Sequence, residues 1–389
     1  MPDSPAISDA QNGHRASRNP AETYSPLVIR FGAFGDMILL IPVLKLLSER
    51  YGRPCEVISS GPWTEPLLSR VPAASRRFLL TSRRAPYWFN RSQRDLVAWL
   101  RQRPTGPVYV FEPDDKSHWL LDHGWINPDM ICSLRDLPRQ PGEHILAHAL
   151  RLAGQTPLAL RPSHGGTVQP PAPDARPALT EADRSDCSAW LARHHLADVP
   201  LVLIQPGNKK TMKGGNRRRA SNVDYWSEAN WAGVITGVRR NLPSAGVIVC
   251  GSPAERPLAE DIVGRLPDAE GVLIATDDLP IPRLLALQER AHSMISVNTG
   301  PAHAAAAMGC PLVVMFARSQ HRSADLYAPQ PTTGPVRILQ PDDRSPDARL
   351  ASITPETVVA AWSETISHRP SAGAAPSSEP SARLAGTPH

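Results

Sequence analysis

The strongest constraint on this fold is a repeated pattern in which a short apolar strand ends in a glycine turn and a helix follows at once. It first occurs at LVIRF (27–31), followed after a short turn by GDMILLIPVLKLLSERYG, which predicts a helix that ends at Gly52. Related strand signals follow at CEVIS, PVYVFEP, VPLVLIQPG, GVIVCGSP, HSMISVNTG and PLVVMFA. Strands that alternate with helices predict α/β architecture with parallel, doubly wound sheets.

The pattern divides into two series on either side of a proline-rich stretch, QPPAPDARPALTEAD, which we interpret as a linker. We predict two Rossmann-like domains, residues 25–178 and 179–345, that face a central cleft at the carboxyl ends of their strands. Residues 346–368 contain one further helix, with Thr354 as its cap. Residues 1–24 and 369–389 are polar and aperiodic, and we expect them to be disordered.

Composition limits the class of protein. The longest apolar run has about eight residues, too few to cross a bilayer, and the N-terminus lacks the apolar core of a secretory signal, so we expect a cytoplasmic protein. The five cysteines are scattered and form no C-x-x-C pair, which indicates reduced thiols rather than a zinc site or disulfide framework. The net charge of +5 suits anionic partners such as nucleotides, phosphorylated sugars or a membrane surface.

The first glycine turn, Gly32 to Asp36, matches neither the dinucleotide-binding fingerprint nor a P-loop. Asp36 falls in the first turn of the following helix, where the helix dipole stabilises a carboxylate. Two interpretations follow. Asp36 is a helix cap, or it is an ionised base that faces the cleft and accepts a proton from a substrate hydroxyl group.

A second stretch, VNTGPAHAAAAMGCPLVVMF, predicts a strand, a short helix that ends at Gly309, and another strand. The backbone N–H groups of Thr299 and Gly300 would lie at the helix N-terminus, which is an anion site suited to a diphosphate. His303 lies one turn into the helix. It either adds a charged hydrogen bond to that site or is an ordinary surface histidine.

Two further stretches follow strand ends and should project into the cleft. The loop QPGNKKTMKGGNRRRASNVDYW contains a cluster of cations: Lys209, Lys210, Lys213, Arg217, Arg218 and Arg219. The cluster suits a sugar nucleotide, although nucleic-acid binding is a rival interpretation. In VCGSPAERPLAE, Glu255 starts a helix, where it either bonds a ribose hydroxyl group or caps the helix.

Together these stretches resemble glycosyltransferase family 9, the heptosyltransferase-like enzymes of lipopolysaccharide core synthesis. The matching segments, in family order, are VIRFGAFGDMILLIP, IQPG, YWSEANWAGVI, CGSPAE and NTGPAHAAAAMGCPLVVMF. They cover roughly residues 27–317. The last segment is the longest and most specific of them.

The resemblance implies a GT-B fold, with the acceptor in the N-terminal domain, the nucleotide-sugar in the C-terminal domain, and the final helix packed back on the first domain. It implies inverting transfer without metal or cofactor, with an ADP-sugar as the donor. Asp36 corresponds to the general base, and Gly32 and Gly35 belong to the acceptor loop. The implied nucleotide-sugar contacts are Lys209, Lys210, Lys213, Glu255, Asn298, Thr299, Gly300 and His303.

Two positions depart from the family pattern. Asn298 stands where the family has aspartate, and Asp224 stands where it has a lysine two residues before Trp226. An aspartate there disfavours phosphate unless a cation from the 209–219 loop replaces the lysine. The departures keep two alternatives open, namely a non-catalytic sugar-nucleotide binder and a GT-B sugar-nucleotide epimerase.

The segment RRAPYWFNRSQRDLVAWLRQR (83–103) mixes arginines with aromatic residues such as Phe89 and Trp99. It either meets a glycolipid acceptor at the inner face of the cytoplasmic membrane or forms an amphipathic helix packed on its own domain. The expected partners are a nucleotide-sugar and a glycan or glycolipid acceptor, with peripheral membrane contact and no nucleic acid.

Overall fold

The computed structural model describes residues 23–82, 87–170, 173–208, 211–212, 216–318, 323–342 and 348–367. These residues form two α/β domains, each built on one parallel sheet, as predicted. Residues 1–22 and all of 369–389, for which disorder was predicted, lie outside the described residues. The predicted disordered tail 1–24 was too long at its end, because Tyr24 pairs with Gly52 and its N–H donates to the Tyr51 carbonyl. None of the described helices is both long enough and apolar enough to cross a membrane.

The first domain has a five-stranded sheet in the order β3-β2-β1-β4-β5. Its strands are β1 Leu27–Ile29, β2 Cys55–Ser59, β3 Ala74–Leu79, β4 Val108–Val110 and β5 Ile131–Ser133. Its helices are α1 Phe34–Tyr51, α2 Thr64–Leu68, α3 Arg91–Gln102, α4 Asp115–His123, α5 Ile145–Gly154 and α6 Arg161–His164.

The second domain has a six-stranded sheet in the order β11-β10-β9-β6-β7-β8. Its strands are β6 Leu201–Gln205, β7 Gly246–Cys250, β8 Val272–Ala275, β9 Ser293–Val297, β10 Leu312–Met315 and β11 Val336–Leu339. Its helices are α7 Glu181–Arg193, α8 Glu228–Asn241, α9 Arg256–Val263, α10 Ile281–Arg290, α11 Gly300–Met308, α12 Ala324–Tyr327 and α13 Pro355–Ser367.

Several helices begin or end at the glycine and capping residues that the sequence predicts. Gly52 ends α1 and Gly309 ends α11, each with a positive φ, 74° and 80°, that costs glycine least. Thr180 caps α7, because its side-chain oxygen accepts a hydrogen bond from the Asp183 N–H. The predicted cap of α13 is also present, since Thr354 Oγ1 accepts from Thr357 N–H.

The two domains pack together through α1 and α11. Met37 and Ile38 of α1 belong to the same buried apolar cluster as Ala304, Ala307 and Met308 of α11. This contact brings the first turns of the two helices together, so the loop after β1 lies against the loop after β9.

Both loops lie where the strand order of their sheet reverses, between β1 and β4 in one domain and between β6 and β9 in the other. Ligands of open α/β sheets bind at such switch points, because neighbouring loops there diverge to opposite faces. The fold therefore brings its two natural ligand positions together across the domain interface.

The predicted packing of the last helix on the first domain is wrong. Val358, Ala361 and Trp362 of α13 are buried in the second domain's core beside Trp231 of α8. Trp362 Nε1–H donates to Ser293 Oγ at the start of β9, over 2.7 Å. The sequence pattern identifies the apolar face of α13 correctly, but that face covers the second sheet.

Candidate functional site

Asp36 is the third residue of α1, and both of its carboxylate oxygens are engaged. Oδ2 accepts a hydrogen bond from the Ala33 backbone N–H at 2.8 Å, and Oδ1 accepts from Arg30 Nη2 at 2.8 Å. The side chain still has 29% of its surface exposed. A carboxylate offers about four lone-pair positions, so the bonds from Ala33 and Arg30 leave room for a further donor. The structural and functional interpretations of Asp36 are therefore compatible.

Arg30 holds this carboxylate in place from the end of β1. Its Nη1 donates to the Phe111 carbonyl at 2.6 Å and lies 3.6 Å from Glu112 Oε1. Glu112 is buried and also accepts from the Phe31 N–H at 2.6 Å. No sequence motif singled out Arg30 or Glu112. Arg30 is the first residue after β1 and Glu112 is the second residue after β4, and these strands are neighbours in the sheet, which is the signal that could have found them.

Two glycines of the first loop are required by close contacts. A Cβ atom at Gly32 would lie 2.3 Å from Asp36 Cβ, so a side chain there would displace the carboxylate. A Cβ atom at Gly35 would lie 3.2 Å from Gly300 Cα and 2.9 Å from His303 Cδ2, both in the other domain. Gly35 and Gly300 thus allow the two helix N-termini to touch.

The N-terminus of α11 has the features of an anion site. Thr299 is the N-cap residue, yet its side chain makes no capping hydrogen bond. Within the described part of the chain, no group accepts a hydrogen bond from the backbone N–H of Thr299 or Gly300. Two donors and the positive end of a helix dipole therefore face the junction of the domains.

His303 lies on α11 next to this junction, and it is buried rather than on the surface. Burial lowers the pKa of its imidazole to about 4, although the Asp36 carboxylate acts in the opposite direction. The lowered pKa favours a neutral ring before a ligand binds, and the predicted hydrogen bond from His303 to the anion site stays a prediction. Its Nδ1 has no hydrogen-bond partner among the described residues.

Only one of the two carboxylate oxygens of Glu255 accepts hydrogen bonds from the described residues. Oε2 accepts hydrogen bonds from the Ser252 N–H and hydroxyl group at 2.8 and 2.7 Å, which makes Glu255 a helix cap. Oε1 is buried without a partner among the described residues, and it lies against Gly207 at the end of β6. Buried unpaired acceptors are uncommon in proteins, so Oε1 is a candidate acceptor for a ligand hydroxyl group.

Asn208 contacts both residues that depart from the family pattern, Asp224 and Asn298. Its Nδ2 donates to Asp224 Oδ2 at 3.1 Å and to the Asn298 carbonyl at 3.4 Å. This amide joins the ends of β6 and β9. Among the arginines considered as a replacement cation, Arg219 instead contacts Glu228 and Asp261.

Lys209, Lys210 and Lys213 lie outside the described residues, so their predicted contact with a nucleotide-sugar stays a prediction. The same holds for the side chains of Arg217 and Arg218.

A pocket of about 420 Å³ opens beside Asp36. Leu39 and Leu40 follow Asp36 by three and four residues in α1, so they share its face of the helix and form one wall. The opposite wall comes from α5. The remaining lining residues are Arg30, Phe111, Pro113, Leu134, Arg139, Ile145, Leu146, His148, Ala149 and Tyr327.

The second domain closes one side of this pocket. Arg139 Nη1 lies 3.5 Å from the Tyr327 hydroxyl group, and His144 Nε2–H donates to the Ala328 carbonyl at 3.0 Å. His144 Nδ1 accepts from the Leu146 N–H at 3.1 Å, which requires a neutral ring. Burial lowers the pKa of His144, in agreement with that tautomer.

In its described part, the segment 83–103 contains a helix that packs on its own domain, which is the second of its two interpretations. Leu96, Val97 and Leu100 of α3 are buried in the first domain. Phe89, just before α3, is 84% exposed. Residues 83–86 lie outside the described part, and contact with a membrane stays a prediction.

All five cysteines are unpaired, and four of them are buried. Within the part of the chain that the structure describes, no group of three or more histidine, cysteine, aspartate or glutamate side chains could hold a metal ion.

Solved structures of similar fold include glycosyltransferases from two bacteria. The E. coli ADP-heptose lipopolysaccharide heptosyltransferase II is 17% identical, with a TM-score of 0.68 over 88% of this chain and 98% of that chain. A family 9 glycosyltransferase from Veillonella parvula is 15% identical, with a TM-score of 0.69 over 91% and 100%. E. coli heptosyltransferase WaaC with ADP is 14% identical, with a TM-score of 0.63 over 88% and 100%. These likenesses define the fold as GT-B.

The sequence profile of glycosyltransferase family 9 (heptosyltransferase) matches residues 140–343, which is more than half of the chain. The chain therefore belongs to glycosyltransferase family 9, and it is a glycosyltransferase. No curated protein sequence matches it significantly.

Proposed function

We propose that this enzyme transfers a sugar from a nucleoside-diphosphate donor to a hydroxyl group of a glycan or glycolipid acceptor, with inversion and without a metal ion. One observation carries the proposal. The first turns of α1 and α11 touch at Gly35 and Gly300, so the helix turn that carries Asp36 contacts the N-terminus of α11, where the N–H groups of Thr299 and Gly300 have no acceptor among the described residues. A proton acceptor and an anion site thus meet across the domain interface.

In the proposed reaction, the acceptor hydroxyl oxygen attacks the anomeric carbon while Asp36 accepts its proton. The bond from that carbon to the diphosphate breaks, and the diphosphate leaves with the bonding electrons. Attack on the face opposite the leaving group inverts the anomeric centre. Arg30 keeps the carboxylate oriented toward the acceptor throughout.

The charge that develops on the leaving diphosphate needs stabilisation. The N–H groups of Thr299 and Gly300 can supply it, and one well-placed donor of this kind is typically worth about 2.7–4 kcal/mol. His303 would donate a hydrogen bond as a neutral ring, and a bound diphosphate would raise the pKa of that ring. Glu255 Oε1 would accept from a ribose hydroxyl group of the nucleotide.

We propose an ADP-sugar, with heptose or a related sugar, as the donor. The support is family membership together with two solved structures of this fold, one of an E. coli ADP-heptose lipopolysaccharide heptosyltransferase and one of WaaC with ADP. A lipopolysaccharide-core-like or other glycan or glycolipid acceptor, at the inner face of the cytoplasmic membrane, is proposed on the same family basis.

A panel of nucleotide-sugars tests this function. A ligand that binds the folded state at 100 times its Kd stabilises it by about 2.7 kcal/mol, so the true donor should raise the Tm clearly. We expect the ADP-sugars to do so, and to release ADP only when an acceptor is added. Binding with no release in the presence of any acceptor would favour the non-catalytic alternative. Conversion of the donor sugar without an acceptor would favour an epimerase.

A further inference from the structure

We infer that the acceptor carries an apolar group, alkyl or aryl, close to the hydroxyl group that reacts. The inference rests on the proposed function, because it takes Asp36 as the proton acceptor. Asp36 itself lines the 420 Å³ pocket, so an acceptor bound at this carboxylate must place its neighbouring atoms there. The pocket lies within the usual size range of small-molecule sites.

The walls of the pocket are mainly apolar. Leu39 and Leu40 of α1 face Ile145, Leu146 and Ala149 of α5 across it. Both walls belong to helices fixed by the core of the first domain, since Leu40 and Leu146 are members of the same buried cluster. The apolar character is therefore built into the fold.

Besides Asp36, the polar groups that line the pocket have partners within the protein, and Arg139 contacts the Tyr327 hydroxyl group. Arg30 is bonded to the Phe111 carbonyl and to Asp36, and His148 Nε2–H donates to the Leu137 carbonyl at 2.7 Å. A sugar with hydroxyl groups on every side would lose hydrogen bonds to water here and find few replacements. An alkyl or aryl group loses nothing of this kind and gains by leaving water.

The inference is tested by calorimetry, in which the full chain is titrated with methyl, butyl and hexyl glucoside. Phenyl glucoside is the aromatic ligand of the series. A buried methylene group is worth about fourfold in affinity. We therefore expect the Kd to fall about fourfold per added methylene until the pocket is filled. Tighter binding of phenyl than of hexyl glucoside would identify an aromatic group, and the reverse order would identify an alkyl chain.

A matched pair of variants on α5 tests whether this pocket causes the dependence of Kd on chain length. Ala149 lines the pocket, whereas Ala147 is exposed on the same helix. Ala149→Phe should abolish the dependence of Kd on chain length, and Ala147→Phe should keep it. A chain-length effect that survives unchanged in folded Ala149→Phe would overturn the inference.

The dependence of Kd on chain length in the wild-type protein tests the inference even if Ala149→Phe does not fold. An ADP-induced rise in Tm with no chain-length effect in the wild type would defeat this inference alone. A chain-length effect with no rise in Tm for any nucleotide would defeat the proposed donor, while the apolar pocket would stand as a ligand site.

Discussion

Asp36→Asn should lower kcat by about 10²- to 10⁴-fold, which is the usual contribution of a general base. Asparagine keeps the size of the side chain, and its carbonyl oxygen can still accept from Arg30. It cannot take up the proton of the acceptor hydroxyl group. The nucleotide-induced rise in Tm should remain, because the donor's diphosphate is proposed to bind at α11. Steady-state release of the nucleoside diphosphate measures kcat.

Asp115→Asn is the matched control for this variant. Asp115 also lies in the first turn of a helix, α4, but its side chain is 90% exposed. Its variant should show wild-type turnover. Equal turnover by Asp36→Asn and Asp115→Asn would show that Asp36 is only a helix cap.

Gly35→Ala should lower kcat by about 10²-fold without lowering the Tm by more than a few degrees. The new Cβ atom would lie 2.9 Å from His303 Cδ2 and 3.2 Å from Gly300 Cα, so the two helix N-termini must separate. A misplacement of about 1 Å between reacting groups can cost roughly 10²-fold in rate. Alanine is a better helix former than glycine by about 1 kcal/mol, which offsets part of the strain.

Gly166→Ala is the control, because a Cβ atom at Gly166 would have no neighbour within 4 Å. It should leave kcat unchanged. Wild-type turnover in Gly35→Ala would mean that the contact between α1 and α11 does not determine the active geometry.

Local chemistry explains what the sequence could predict. Apolar runs such as CEVIS coincide with strand β2, because a buried parallel strand needs such a run. Gly52 and Gly309 mark helix ends, because an αL position there favours glycine. Asp36 could be placed in the first turn of α1 by the same kind of argument.

Contacts between segments far apart in the chain explain what the sequence could not predict. Arg30 and Glu112 meet only because β1 and β4 are adjacent in the sheet. Burial lowers the pKa of His303, and Gly35 of α1, from the other domain, lies against its ring, which no pattern in the sequence of α11 predicts. The apolar face of α13 could be read from its sequence, but the domain that it covers could not.

The most direct measurement is an experimental structure of the protein with ADP bound. We predict that the diphosphate oxygens lie within hydrogen-bond distance of the Thr299 and Gly300 N–H groups, and that the Asp36 carboxylate faces the terminal phosphate of ADP. A diphosphate bound away from the N-terminus of α11, or an Asp36 carboxylate sealed off from it, would contradict the account.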